Sequence, residues 1–220
     1  MRTPALSSLP LCIALTAVLS LQACCMGPAL PLATSADDVQ ADEAIVVGKI
    51  VISPPIDETE QTLSTARSSG GGCIVNPSAK QYKNTIVLLT DKKLRRIADP
   101  EISDYSGRIE APLGETFYAR APNSGPLYVN RSEIMMALYR SGMEKAVLPS
   151  GYKIDIRRGD KAVYIGTIKY HRDEFFEVQK IDIIDEYEKE SAAFRKKFGK
   201  KFTLRKAIIT GGEKSSGRQQ

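Results

Sequence analysis

The chain has 220 residues, of which 42% are apolar, and a formal charge of +5. The apolar share suits a globular body and excludes disorder throughout, and the length suits one domain of ordinary size plus flexible ends. So modest a charge argues against a nucleic-acid partner. At the N-terminus, Arg2 and the α-amino group precede a mostly apolar, uncharged run over 11–21. That is the layout of an export signal, predicted to cover 1–23. The run is too short for a membrane span, which needs about 20 apolar residues.

Leu21-Gln22-Ala23-Cys24 closes this stretch. The four residues resemble the lipobox of bacterial lipoproteins. The resemblance implies that Cys24 becomes the mature N-terminus, carrying a thioether-linked diacylglycerol and an amide-linked acyl chain. Each buried CH₂ adds about 0.8 kcal/mol, so three chains make a lasting anchor where one is marginal. Membrane lipid is then the first partner, and the cell envelope is the location. The residue after Cys24 is Cys25, not the Asp that retains such proteins in an inner membrane, and the resemblance therefore implies the outer membrane where one exists. A plain secretory signal is the alternative. Of the four cysteines, Cys12 lies in the signal. Cys25 and Cys73 either remain free or pair in an oxidising envelope, provided their Cα atoms lie within about 7 Å. No paired-cysteine spacing points to structural zinc, and neither a metal nor another cofactor is expected.

Residues 24–43, rich in Gly, Pro and small side chains, read as a flexible tether that lets a domain over 44–210 stand off from the bilayer. The β-branched run 44–52 predicts an interior strand, with Gly48 marking a bulge or a close backbone approach. Residues 53–84 are weakly patterned, and Ser68-Ser69-Gly70-Gly71-Gly72 is a loop signal without the Lys-Ser/Thr of a phosphate loop. Strands follow at 85–90 and 117–121. In 132–139, Ile134, Met135, Leu138 and Tyr139 fit a helical stripe, although a strand also fits. Leu148-Pro149-Ser150-Gly151 has the composition of a type I turn. Tyr152, Ile154 and Ile156 then alternate with polar residues, a strand with one wet face. A tight reversal at Arg158-Gly159-Asp160-Lys161 leads into the strand 162–168, and another strand covers 175–183.

One helix is predicted at about 185–198. Asp185 would cap it, with Glu188 completing a capping box. Tyr187, Phe194 and Phe198 make its apolar stripe, with acids in its first turn and bases in its last. A final strand at 202–209 and a disordered tail at 211–220 complete the chain. The Leu-Pro-x-Gly turn entering a strand, followed by Tyr164-Ile165-Gly166-Thr167, resembles the end of a transthyretin- or immunoglobulin-like domain in envelope lipoproteins. The resemblance implies a mainly β fold, an antiparallel β-sandwich with one C-terminal α-helix, and no enzyme.

Chemistry-bearing residues are sparse. His171 is the only histidine; with no Gly-x-Ser-x-Gly elbow, it reads as an exposed loop residue. Asp99, Glu101 and Asp104 lack the EF-hand pattern for calcium. Arg158-Gly159-Asp160 matches an adhesion tripeptide, yet a reversal has its own use for Gly-Asp. Residues 189–206 hold eight Lys/Arg against one Glu. Of these, Arg195, Lys196, Lys197, Lys200 and Lys201 are candidates to meet an anionic surface, a cell-wall polymer or an envelope protein. The expectation is a non-catalytic binding or scaffolding module. The alternatives are an envelope hydrolase acting on glycan or peptide, and an accessory subunit of an envelope assembly machine.

Overall fold

The structure is a computed structural model that describes residues 28–56, 84–95, 105–138 and 142–211. The predicted signal at 1–23, Cys24, Cys25 and Cys73, the predicted glycine loop at 68–72, the acids at 99–104 and residues 212–220 lie outside the described residues. In chain order the strands are β1 (Glu43–Ser53), β2 (Thr85–Asp91), β3 (Gly107–Pro112), β4 (Thr116–Pro122), β5 (Leu127–Leu138) and β6 (Gly142–Leu148). Then come β7 (Tyr152–Ile154), β8 (Ala162–Arg172), β9 (Val178–Ile184), helix α1 (Tyr187–Phe198), β10 (Leu204–Lys206) and β11 (Thr210–Gly211).

They form a β-sandwich of two sheets. One sheet runs β10-β8-β1-β4, with β9 sharing the β10 edge of β8. The other runs β11-β7-β5-β2-β3, with β6 sharing the β7 edge of β5. Pairing is mostly antiparallel, but β8 runs parallel to both β1 and β10. Between the sheets, Val46, Ile50, Phe117 and Ile168 meet Ile86, Leu88, Ile109 and Ile154 in one buried cluster. On the outer face of the first sheet, Ile45, Val47, Ala162 and Tyr164 are covered by Phe194 and Phe198 of α1. The centre of β1 is thus buried on both faces, which is why 44–47 carries no polar alternation. Removing the Phe194 ring from this second layer would cost about 3–5 kcal/mol.

Several expectations change in three dimensions. Residues 132–138 are strand, because β5 finds partners on both edges in β2 and β6, and pairing overrides the helical spacing. The reversal at 158–161 does not make a hairpin: β7 and β8 belong to opposite sheets, and the connection carries the chain across. Asp160 holds that crossing by accepting from Arg157 N at 2.7 Å and Arg205 Nε at 3.0 Å, so the carboxylate of the adhesion-like tripeptide is engaged internally. The final strand is split in the same way, with β10 beside β8 and β11 beside β7. The helix starts two residues late. Glu186 is its N-cap and makes no side-chain capping bond. Its Oε2 instead accepts from Thr167 Oγ1 at 2.9 Å. Asp185 accepts from Tyr187 N and pairs with Lys206, so the expected capping box does not form.

The turn before β7 bridges the layers. Tyr170, fully buried in the first sheet, donates to Pro149 O at 3.1 Å. Ser150 Oγ donates to Leu148 O and lies 2.8 Å from Ser132 Oγ.

The predicted tether is the largest departure. From Pro28 onward the chain is hydrogen-bonded to both sheets, and Ala33 is buried. Small and Pro residues cannot build a core of their own, but they suit an edge that needs pairing.

Gly48 combines both roles read from sequence. The β1–β8 register shifts around it, and a Cβ there would lie 2.7 Å from Ile165 Cγ1 and 2.9 Å from Phe117 Cζ. Overpacking of this kind costs about 1–3 kcal/mol. Gly48→Ala is therefore expected to lower the urea midpoint of the mature chain at unchanged slope, as followed by circular dichroism.

Candidate functional site: the strapped end of the sandwich

Residues 28–33 form a strap from one sheet to the other along their open edges. Beside β3, Leu30 N donates to Arg108 O at 2.7 Å and Arg108 N to Pro28 O at 3.0 Å. Beside β4, Arg120 N donates to Pro31 O at 2.8 Å and Ala33 N to Tyr118 O at 2.7 Å. Both prolines sit where only a carbonyl is required, the edge position that proline tolerates. Leu30 packs against the inter-sheet core and Ala33 joins the layer under α1.

A turn locks the strap downstream. Asp38 Oδ2 accepts from Thr34 N at 2.7 Å, Thr34 Oγ1 at 2.8 Å and Ser35 N at 2.8 Å. These bonds, led by the Ser35 and Thr34 donors, lower its pKa to about 2. The Arg120 guanidinium donates to the Asp38 carbonyl.

The strap runs parallel to β3 at Ala29 and Arg108. Since β3 begins at Gly107, the chain before Pro28 leaves at the end of the sandwich that carries the β2–β3, β4–β5 and β7–β8 connections. Here the first connection is pinned by one buried amide. Asn130 Oδ1 accepts from Arg95 N at 2.8 Å, and its Nδ2 donates to Lys93 O at 2.9 Å. Leu94 is thereby held out, 58% exposed, beside exposed Lys92 and Lys93. A cavity of about 260 Å³ opens at this end between Leu30, Thr90, Lys92, Ser106, Ser124 and Leu127. Thr90 is fully buried, and its Oγ1 finds no hydrogen-bond partner among the described residues.

The basic cluster read from sequence is divided. Lys197 lies over the Tyr118 ring at 4.2 Å, and Lys201 pairs with Asp37 at 2.7 Å. Arg195, Lys196 and Lys200 face solvent. His171 sits in β8 rather than a loop, its Nε2 2.9 Å from Asp182 Oδ2. Lys180, and then His171, hold the Asp182 carboxyl below its usual range. Ser53 is the ladder neighbour of His171 on β1. No hydrogen bond joins them, so this row lacks the nucleophile–base contact of a hydrolase. Among the described residues, no three His, Cys, Asp or Glu side chains converge on a metal position, and no helix is long and apolar enough to cross a membrane.

The run Lys92-Lys93-Leu94-Arg95, three cations in four residues, is a site that sequence reasoning missed, and that clustering is its one local signal. Nothing local could show that Asn130, 35 residues from Arg95, fixes it beside the strap. No family model, curated protein or solved structure matches the chain.

Because the Asp38 pKa is lowered on folding, its contribution to stability is complete above the ordinary carboxylate pKa of about 4 and is lost as pH falls through about 2. The wild type is expected to lose more thermal stability than Asp38→Asn between these pH values. Melting curves recorded across that window check this.

Proposed function

We propose that this chain is a lipid-anchored protein of the bacterial cell envelope, acting there as a non-catalytic binding or scaffolding module. The observation that carries the reading is the lipobox-like Leu21-Gln22-Ala23-Cys24, placed four residues before the strap begins at Pro28. An exported chain cut before Cys24 would present its cysteine directly beside a folded body. The outer membrane is the proposed site, on the residue that follows Cys24.

The role as a binding or scaffolding module is supported by how the polar side chains are used. Asp160 holds Arg205 and the sheet crossing. Glu190 accepts from Thr116 Oγ1 at 3.0 Å and ties α1 to β4. Arg172 donates to the carbonyls of Pro54 and Pro55 and stacks on Phe176 at 3.8 Å. Each of these maintains a rigid surface rather than converging on a reacting atom.

Mass spectrometry of the mature N-terminus tests the anchor. The expected species begins at Cys24 and carries acyl chains, and Cys24→Ser is expected to leave the membrane fraction. A parent without fatty acid, fractionating as Cys24→Ser does, would contradict the reading.

A further inference from the structure

Resting on that anchor, we propose that the strapped end of the sandwich lies on the bilayer, with Lys92 and Lys93 on anionic phospholipid headgroups and Leu94 in the interfacial layer. Reach, direction and charge each lead there. An extended chain covers at most about 3.6 Å per residue, so the four steps from Cys24 to Pro28 span roughly 15 Å. Because the strap is hydrogen-bonded to β3 and β4, no further length can be paid out. The parallel run beside β3 sends the preceding chain past Gly107, to the end where Lys92, Lys93 and Leu94 project.

Charge separates the described residues of the two ends. At the strapped end, Asp91 pairs with Arg95, Glu43 with Arg120, Asp155 with Arg157 and Asp160 with Arg205. Among the described residues at this end, exposed Lys92, Lys93 and Arg158 then outweigh exposed Asp42. The opposite end carries Glu115, Asp173, Glu174 and Glu177 on the β3–β4 and β8–β9 connections. An anionic bilayer attracts the first of these groups and repels the second, and each lysine near such a surface multiplies partitioning roughly five-fold. One exposed leucine is ordinary by itself. Here the Asn130 amide holds it out beside Lys92 and Lys93, at the end the anchor must approach. Lys92 also lines the cavity with Ser124, whose hydroxyl suits a headgroup phosphate oxygen, while the Ser106 hydroxyl donates to Thr90 O.

The chain contains no tryptophan, so a single introduced one reports its own surroundings. Leu94→Trp and, at the opposite end, Phe175→Trp replace side chains that are 58% and 78% exposed. Each acylated variant is reconstituted into vesicles of phosphatidylcholine with phosphatidylglycerol, some bearing brominated acyl chains as quenchers. The emission of Leu94→Trp is expected to shift to the blue and be quenched, while the Phe175→Trp reporter emits as in water. Adding Lys92→Glu and Lys93→Glu is expected to return the Leu94→Trp emission toward the water value. Water-like, unquenched emission from Leu94→Trp, quenching at the opposite end instead, or indifference to the two charge reversals would overturn the proposal. The mass of the N-terminus in the same samples separates the two levels: with acyl chains on Cys24, such results overturn only the orientation, whereas a chain without them overturns the anchor.

Discussion

The arrangement depends on the hydrogen bonds that residues 28–33 make across the edges of β3 and β4. A sandwich has open edges, and each edge offers unpaired N–H and C=O groups to any extended chain nearby. Here the protein supplies that chain itself. Arg108 and Arg120 each give an N–H to a proline carbonyl, and the intervening residues return N–H groups to Arg108 O and Tyr118 O. One short segment therefore covers both sheets on the same side. Leu30 seals the inter-sheet core while Ala33 lies under the helix layer.

The layers behind that edge reinforce one another. β1 is the shared element: its inner side chains pack between the sheets, and Ile45 and Val47 pack beneath α1. Gly48 lets Ile165 and Phe117 close over the strand where the register shifts. Of the connections that step from one sheet to the other, 155–161 and 207–209 are both tied down. Arg205 and Asp160 hold the first, and Ala207 N and Ile209 N donate to Tyr164 O and Ile165 O along the second. Tyr170, whose burial pushes its hydroxyl pKa up, reaches across to Pro149 and stays a neutral donor. The sheets are thus joined by covalent crossings and polar contacts as well as by apolar packing.

What could be read from sequence was local period. The runs at 44–52 and 85–90 announced strands because burial on both faces removes polar residues. Tyr152 and Ile154 alternate because β7 has one wet side. The stripe of Tyr187, Phe194 and Phe198 placed α1, since a helix must bury one face. Three features escaped because they are long-range. Residues 28–33 have a linker's composition, and only their partners near Arg108 and Tyr118 make them structure. The split between β10 and β11 depends on which sheet edge is vacant, which no window of sequence contains. His171 looked like a loop residue in its polar neighbourhood, yet β9 pairs alongside and brings Asp182 and Lys180 to it. The candidate surface escaped as well: the cations from Lys92 to Arg95 are a short local cluster, and their position beside the strap rests on Asn130.

The strap also changes what an anchored domain can do. A free tether would let the sandwich tumble above a bilayer, whereas under the proposed acylation of Cys24 the four residues to a hydrogen-bonded strap would fix one end close to it. Hydrogen exchange on the acylated protein tests this most directly. If the strap is structural, the amides of Leu30, Ala33, Arg108 and Arg120 exchange slowly, alongside those in the centres of β1 and β8. Exchange of these four at the rate of an unstructured chain would mean that the domain hangs on a loose linker, and the constraint on its orientation would be gone.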